Sequence, residues 1–140
     1  MNTNTYKRIV RINIRPKVVV FACNWGAFKQ DDRGEIVLPR KYPGTNIIRI
    51  MCSGRLSPAL ILQAFELGAD GVLILSCPEG ECHYSFGRKV AEKNFTAANK
   101  IMRLLGYDEH RLRMEYPPKY ESEKVKEIID SFVRGLKELR

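Results

Sequence analysis

No stretch of this chain approaches the roughly 20 consecutive apolar residues that a membrane span requires, so membrane insertion is not expected. Lys7, Arg8 and Arg11 precede no apolar run of signal-peptide length, and the reading is of a soluble, cytoplasmic protein. Histidine is scarce, with only two residues, so a Rieske-type centre, which needs a pair, would have to combine His83 with the distant His110. Internal repeats, low-complexity tracts and the Cys-x-x-Cys knuckle of zinc ribbons are all missing. Cysteines number four. In a reducing compartment they point away from a disulfide framework and towards metal binding, redox chemistry or plain burial.

What is present suits one globular domain: 140 residues, 44% of them hydrophobic, with residues 1–16 read as an N-terminal extension. The net charge of +8 is compatible with nucleic acid, but its distribution is not. Basic residues are interleaved with carboxylates, as in "SEKVKEIIDSFVRGLKELR", and no groove-reading motif accompanies them. The charge therefore reads as a solvated surface with docking patches for an acidic protein partner.

Three short apolar runs, "KVVVFAC" (17–23), "NIIRIMC" (46–52) and "GVLILSC" (71–77), have the pattern of strands buried on both faces of a parallel sheet. Between the second and third, "SPALILQAFELG" predicts a helix with Ser57 as N-cap, Pro58 in its first turn and Gly68 as its stop. A longer amphipathic helix follows from about Gly87, with Val90, Ala98, Ile101, Met102 and Leu105 on one side and Gly106 as its end. "RLRMEY" (111–116) predicts a more polar edge strand, closed by Pro117 and Pro118. The last helix starts near Ser122 and places Val125, Ile128, Ile129, Phe132, Val133, Leu136 and Leu139 at helical spacing. The segment from Asn24 to Thr45 is irregular, so the first crossover helix is expected to be short or missing. Together these predict an α/β fold: a small doubly wound, mostly parallel sheet of about four strands, flavodoxin-like in order.

Each apolar run ends in cysteine, and parallel strands end on one edge of the sheet, where such folds bind ligands. Cys23, Cys52 and Cys77 should therefore cluster, with strands spaced about 4.8 Å apart, and Cys82 on the following loop can supply a fourth thiol. Burial as a small apolar side chain is the ordinary fate of any one cysteine. Four so placed favour a shared iron–sulfur cluster or metal ion. Cys52 precedes "SGRLSP", so a helix N-terminus and the backbone N–H of Gly54 are at hand to stabilise thiolate sulfur, and Gly80 offers the same near Cys82.

At these residues the chain resembles the delta subunit of methyl-viologen-reducing hydrogenase, the MvhD family. The matching stretches are "FACNWGAF" (21–28), "YPGTNIIRIMCSGRLSP" (42–58), "AFELGADGVLILSC" (64–77) and "GECHYSFGRKVAEKN" (80–94), and the likeness runs over about residues 17–139. The resemblance implies a 2Fe-2S cluster held by Cys23, Cys52, Cys77 and Cys82, with no catalytic residues of its own. It also implies electron transfer between a hydrogenase or formate dehydrogenase module and the FAD subunit of heterodisulfide reductase, in the setting of methanogenesis. The family usually has cysteine where this chain has Gly26, often another at Ala22, and histidine at Pro78. Four cysteines remain, the number a 2Fe-2S cluster requires.

Trp25 and Tyr84 flank candidate ligands, either shielding a cluster or simply packing, and Arg49, Arg55 and Arg88 either balance its charge or solvate the surface. Two rival readings belong to other classes. One is a structural adaptor without cofactor; the other uses the Cys-x5-Arg spacing of Cys82 and Arg88, as in cysteine phosphatases and rhodanese-like enzymes. That spacing arises readily by chance, and "HYSFG" is bulky for a phosphate cradle.

Overall fold

Continuous β-branched apolar sequence favours a strand with both faces covered, and the run at 17–23 forms β1 (Val18–Cys23) in the interior of a parallel sheet. The computed structural model describes residues 16–23, 44–76, 87–117 and 122–139, and elements are numbered among these. β1 pairs on one side with β2 (Thr45–Ile50) and on the other with β3 (Gly71–Leu75), which in turn pairs with β4 (Leu112–Glu115). All three pairings are parallel and the order is β2-β1-β3-β4, the flavodoxin-like arrangement expected. The irregular segment at 24–43 lies outside the described residues.

Three helices cover the sheet. In α1 (Pro58–Glu66) the Ser57 hydroxyl accepts from the Leu60 N–H at 3.2 Å, and Gly68 adopts a φ of 104° just past the end. α2 (Gly87–Leu104) stops before Gly106, whose φ is 88°. α3 (Ser122–Glu138) follows β4. Side chains alternate across the strands, so the two faces build separate cores. Val18, Val20, Ala22, Leu73 and Leu75 pack under α3 through Val125, Ile129, Phe132 and Leu136. Phe21, Val72 and Ile74 pack on the other face with Ile61 and Phe65 of α1 and Ala98 and Met102 of α2.

Two expectations need correction. β2 is an edge strand of half-buried and exposed residues rather than one buried on both faces, and it stops at Ile50, two residues before Cys52. The buried side of α2 is Gly87, Ala91, Ala98 and Met102, whereas Val90, Ile101 and Leu105 are exposed. Periodicity weighted the large apolar residues, but small ones let this helix lie close: a Cβ on Gly54 would come within 2.9 Å of the Gly87 carbonyl oxygen.

The ring of Phe132 is 1% exposed and fills the core under α3. Phe132→Ala is expected to cost about 3–5 kcal/mol of stability, read from urea unfolding curves.

Candidate functional site

Because the strands share one direction, their C-terminal ends form a single rim. Cys23 closes β1 there, 2% exposed, on the same face as Val19 and Phe21 and in register with Ile50 of β2. Two residues beyond Ile50, Cys52 is 8% exposed. It is no strand end but the N-cap of a 3-10 turn, Ser53–Arg55, and its Sγ accepts the Gly54 N–H at 3.4 Å. Sulfur replaces the usual hydroxyl or carboxylate as cap. Both sulfurs thus lie at the rim ends of adjacent chain segments. Cys77 and Cys82 lie outside the described residues, as do Trp25, Gly26, Pro78, Gly80, His83 and Tyr84. Among the described residues no three His, Cys, Asp or Glu side chains gather as a metal-holding set.

The rim continues from the cysteines towards β4. Ser53 Oγ and Ser76 Oγ are 2.8 Å apart and almost fully buried, joining the 3-10 turn to the end of β3. The turn itself leans on the first residue of α2 through the Gly54 to Gly87 approach, and Asn94 Nδ2 donates to the Leu56 carbonyl at 2.8 Å. Beyond it, Arg88 Nε meets Glu92 Oε1 at 3.2 Å, the guanidinium lies 4.1 Å from the ring centre of Tyr116, and the Tyr116 hydroxyl donates to the same Glu92 oxygen at 2.9 Å. Burial works to lower the Arg88 pKa, but its contacts with Tyr116 and Glu92 outweigh that and hold it above the ordinary value. Burial, and then the bond to Glu92, push the Tyr116 hydroxyl above the usual tyrosine pKa despite the neighbouring cation. Arg88 Nη1 is buried and meets no acceptor among the described residues.

Arg55 is exposed, on the border of an apolar groove of about 860 Å³ between β2 and α1 that includes Ile48 and Leu60, and Arg49 is an exposed residue of β2. His110 lies before β4, at the opposite end of the sheet from the cysteines, with its ring 2.7 Å from Asp108 Oδ1. The backbone N–H of His110, and then its ring, hold the exposed Asp108 carboxyl below its usual pKa. Sequence reasoning missed the serine pair and the Arg88, Glu92 and Tyr116 group. The spacing of Arg88 and Glu92 by four on a helix was the available signal for the second.

Comparison with known proteins decides the lineage. The profile of the family described as methyl-viologen-reducing hydrogenase, delta subunit, matches residues 18–140. The chain belongs to this family. It is 38% identical over 112 residues to the D-type iron-sulfur subunit of the F420-non-reducing hydrogenase vhc of Methanococcus voltae, covering 80% of this chain and 78% of that one. Against the D-type iron-sulfur subunit of the F420-non-reducing hydrogenase of Archaeoglobus profundus it is 32% identical over 124 residues, 89% of this chain and 90% of the relative. A delta-subunit-like region also occurs inside a longer protein, the A-type subunit of the ferredoxin/F420H2-dependent CoB-CoM heterodisulfide reductase of Methanosarcina acetivorans. There the match is 35% identical and spans 89% of this chain but only 16% of the relative.

Two outcomes follow for the delta-subunit rim. A methyl group at position 54 meets the Gly87 backbone, which cannot rotate away. Gly54→Ala is expected to cost about 1–3 kcal/mol in thermal or urea unfolding. The folded state favours neutral Tyr116, so its contribution to stability is complete below the unfolded tyrosine pKa of about 10 and is lost as pH rises through the higher folded value. Wild-type stability should therefore fall more steeply above about pH 10 than that of Tyr116→Phe, measured by urea unfolding across that pH range.

Proposed function

We propose that this delta subunit binds one 2Fe-2S cluster through Cys23, Cys52, Cys77 and Cys82 and relays single electrons within a multi-subunit complex. The observation that carries the reading is the pair of buried thiols at the rim, one of them accepting a backbone N–H, in a family whose relatives are named iron-sulfur subunits. Soft sulfur donors, shielded from water and stabilised as thiolates by amide hydrogen, fit such a cluster. Bound there, it would supply a reversible one-electron couple.

The chain's own residues do the rest. Cys23 and Cys52 hold sulfur below the surface, which keeps water from the couple and lowers the local dielectric. The Gly54 N–H offsets negative charge on Cys52. Arg88, held against Glu92 and Tyr116, keeps a fixed positive charge at the same rim. In this reading the chain works by docking. Its donor is a hydrogenase or formate dehydrogenase module and its acceptor the FAD subunit of heterodisulfide reductase, in the cytoplasm. The fused region in the Methanosarcina relative supports that acceptor, since the same kind of domain is part of a heterodisulfide reductase polypeptide there. Residues 1–16 would be an extension to the single domain.

The cysteine phosphatase or rhodanese-like alternative is weakened by one contact set. Arg88, which would have to cradle an oxyanion, already spends Nε on Glu92 and its face on Tyr116, so a two-pronged grip through Nε is not open to it.

Anaerobically purified or reconstituted protein should contain about two iron and two acid-labile sulfide per chain, absorb in the visible, and give an EPR signal on reduction. Cys23→Ser and Cys52→Ser should each lose most of that iron and sulfide. Wild-type protein that stays colourless and iron-free after anaerobic reconstitution would overturn the reading.

A further inference from the structure

Among the described residues no helix covers β2 on the side of the sheet where α1 packs. Asn46, Ile48 and Ile50 are in register with Val19, Phe21 and Cys23, so they share that side. α1 sits further in, on Phe21, Val72 and Ile74 through Ile61 and Phe65. The result is the groove of about 860 Å³ between β2 and α1, where Ile48, Met51 and Leu60 are 37%, 50% and 44% exposed. Large apolar side chains exposed together at a sheet edge invite association, and natural folds cover such edges. The connection from β1 to β2 is not the expected cover. It moves across the sheet in the opposite sense to those from β2 to β3 and from β3 to β4, whose helices α1 and α2 lie on the groove side. A right-handed crossover in that sense belongs to the α3 side.

The sequence ahead of β1 has the chemistry the groove requires. "VRINIR" (10–15) alternates apolar and polar residues, the pattern of an extended segment with one covered side. Val10, Ile12 and Ile14 make up the apolar set. Arg11, Asn13 and Arg15 take the other side of an extended chain, which keeps their charge from Lys17 and Arg55, the basic residues of the groove lining. The segment also joins the fold at the mouth of the groove. Lys17 lines it, the Lys17 N–H is held by Asp70 Oδ2 at 2.8 Å, and Pro16 before it is fully buried. Proline biases Arg15 towards extended backbone. We infer that residues 10–15 lie extended in this groove, antiparallel to β2, with Val10, Ile12 and Ile14 against Ile48, Met51 and Leu60. The direction follows from the attachment, since Val18 pairs with Thr45 at the start of β2. The length agrees as well: six residues at about 3.3 Å each match the six of β2. A segment tethered beside its groove acts at an effective concentration of roughly millimolar, which favours it over a second copy or a separate protein. The family profile begins at residue 18, so this cover lies beyond the family match. It closes the β2 side of the sheet to other chains.

The test uses the full chain and hydrogen exchange read by mass spectrometry, with circular dichroism to check each fold. In wild type the amides of residues 10–14 should exchange at least about tenfold more slowly than an unstructured chain. Ile12→Asp on the segment and Leu60→Asp in the groove should each return them to the unstructured rate, whereas Asn13→Asp should leave the protection in place. Should Leu60→Asp unfold the chain, Ile12→Asp decides. A benzophenone side chain at position 12 should cross-link on illumination to β2 or α1 of the same chain. Unprotected amides in wild type overturn the inference, as does protection that Ile12→Asp does not remove. Cross-links between two chains also overturn it, because they assign the groove to a second copy, and so do cross-links to α3. None of these outcomes involves iron, so the iron–sulfur reading is tested separately.

Discussion

The backbone of Gly54 approaches that of Gly87 more closely than any side chain would permit, and the organisation of the rim follows from that contact. It seats on the first residue of α2 the 3-10 turn that carries the Cys52 cap, the Gly54 N–H bond to sulfur and the Ser53 partner of Ser76. A turn displaced from β3 would leave the two hydroxyls unmatched. Glycine at position 54 is required by this approach, since a Cβ there would meet the Gly87 carbonyl oxygen and Cα at 2.9 and 3.0 Å. The small residues Ala91 and Ala98 continue the same close approach along α2.

The rim is polar where the remainder of the sheet is not. Both faces of β1 and β3 are filled by aliphatic and aromatic side chains, yet at their C-terminal ends the chain places thiols, hydroxyls, amides and a guanidinium. Such groups are costly in an apolar surrounding unless each finds a partner. Most do so locally: Ser53 with Ser76, Arg88 with Glu92 and Tyr116, Cys52 with Gly54. The concentration of polar groups at one edge of an otherwise apolar sheet is what distinguishes this end from the other, where Asp70 ties the Lys17 N–H and the Arg111 side chain into an ordinary strand-start clamp.

Much of the architecture was legible in the sequence because it depends on local, periodic signals. Strand runs rich in valine and isoleucine, the Ser57-Pro58 helix start and the glycine stops at 68 and 106 each state a backbone preference that tertiary packing did not override. The edge position of β2 was missed although Asn46 and Arg49 interrupt its apolar run as no charged or amide side chain interrupts β1 or β3. The face of α2 was misread because large apolar side chains dominate a periodicity count, while closeness of approach is decided by glycine and alanine. At the site, cysteine spacing pointed to the rim and Cys23 lies there, but Cys52 reaches it as a cap in a turn. The serine pair could not be read at all: its members are 23 positions apart and meet only through the fold.

Tyr116 directly follows β4 and its ring lies over Arg88 in the opening turn of α2, so the outermost strand is tethered to the same helix end that supports the cysteine-bearing turn. Force applied at the far border of the sheet therefore has a short route of stiff contacts, ring to guanidinium to glycine backbone, to the surroundings of Cys52.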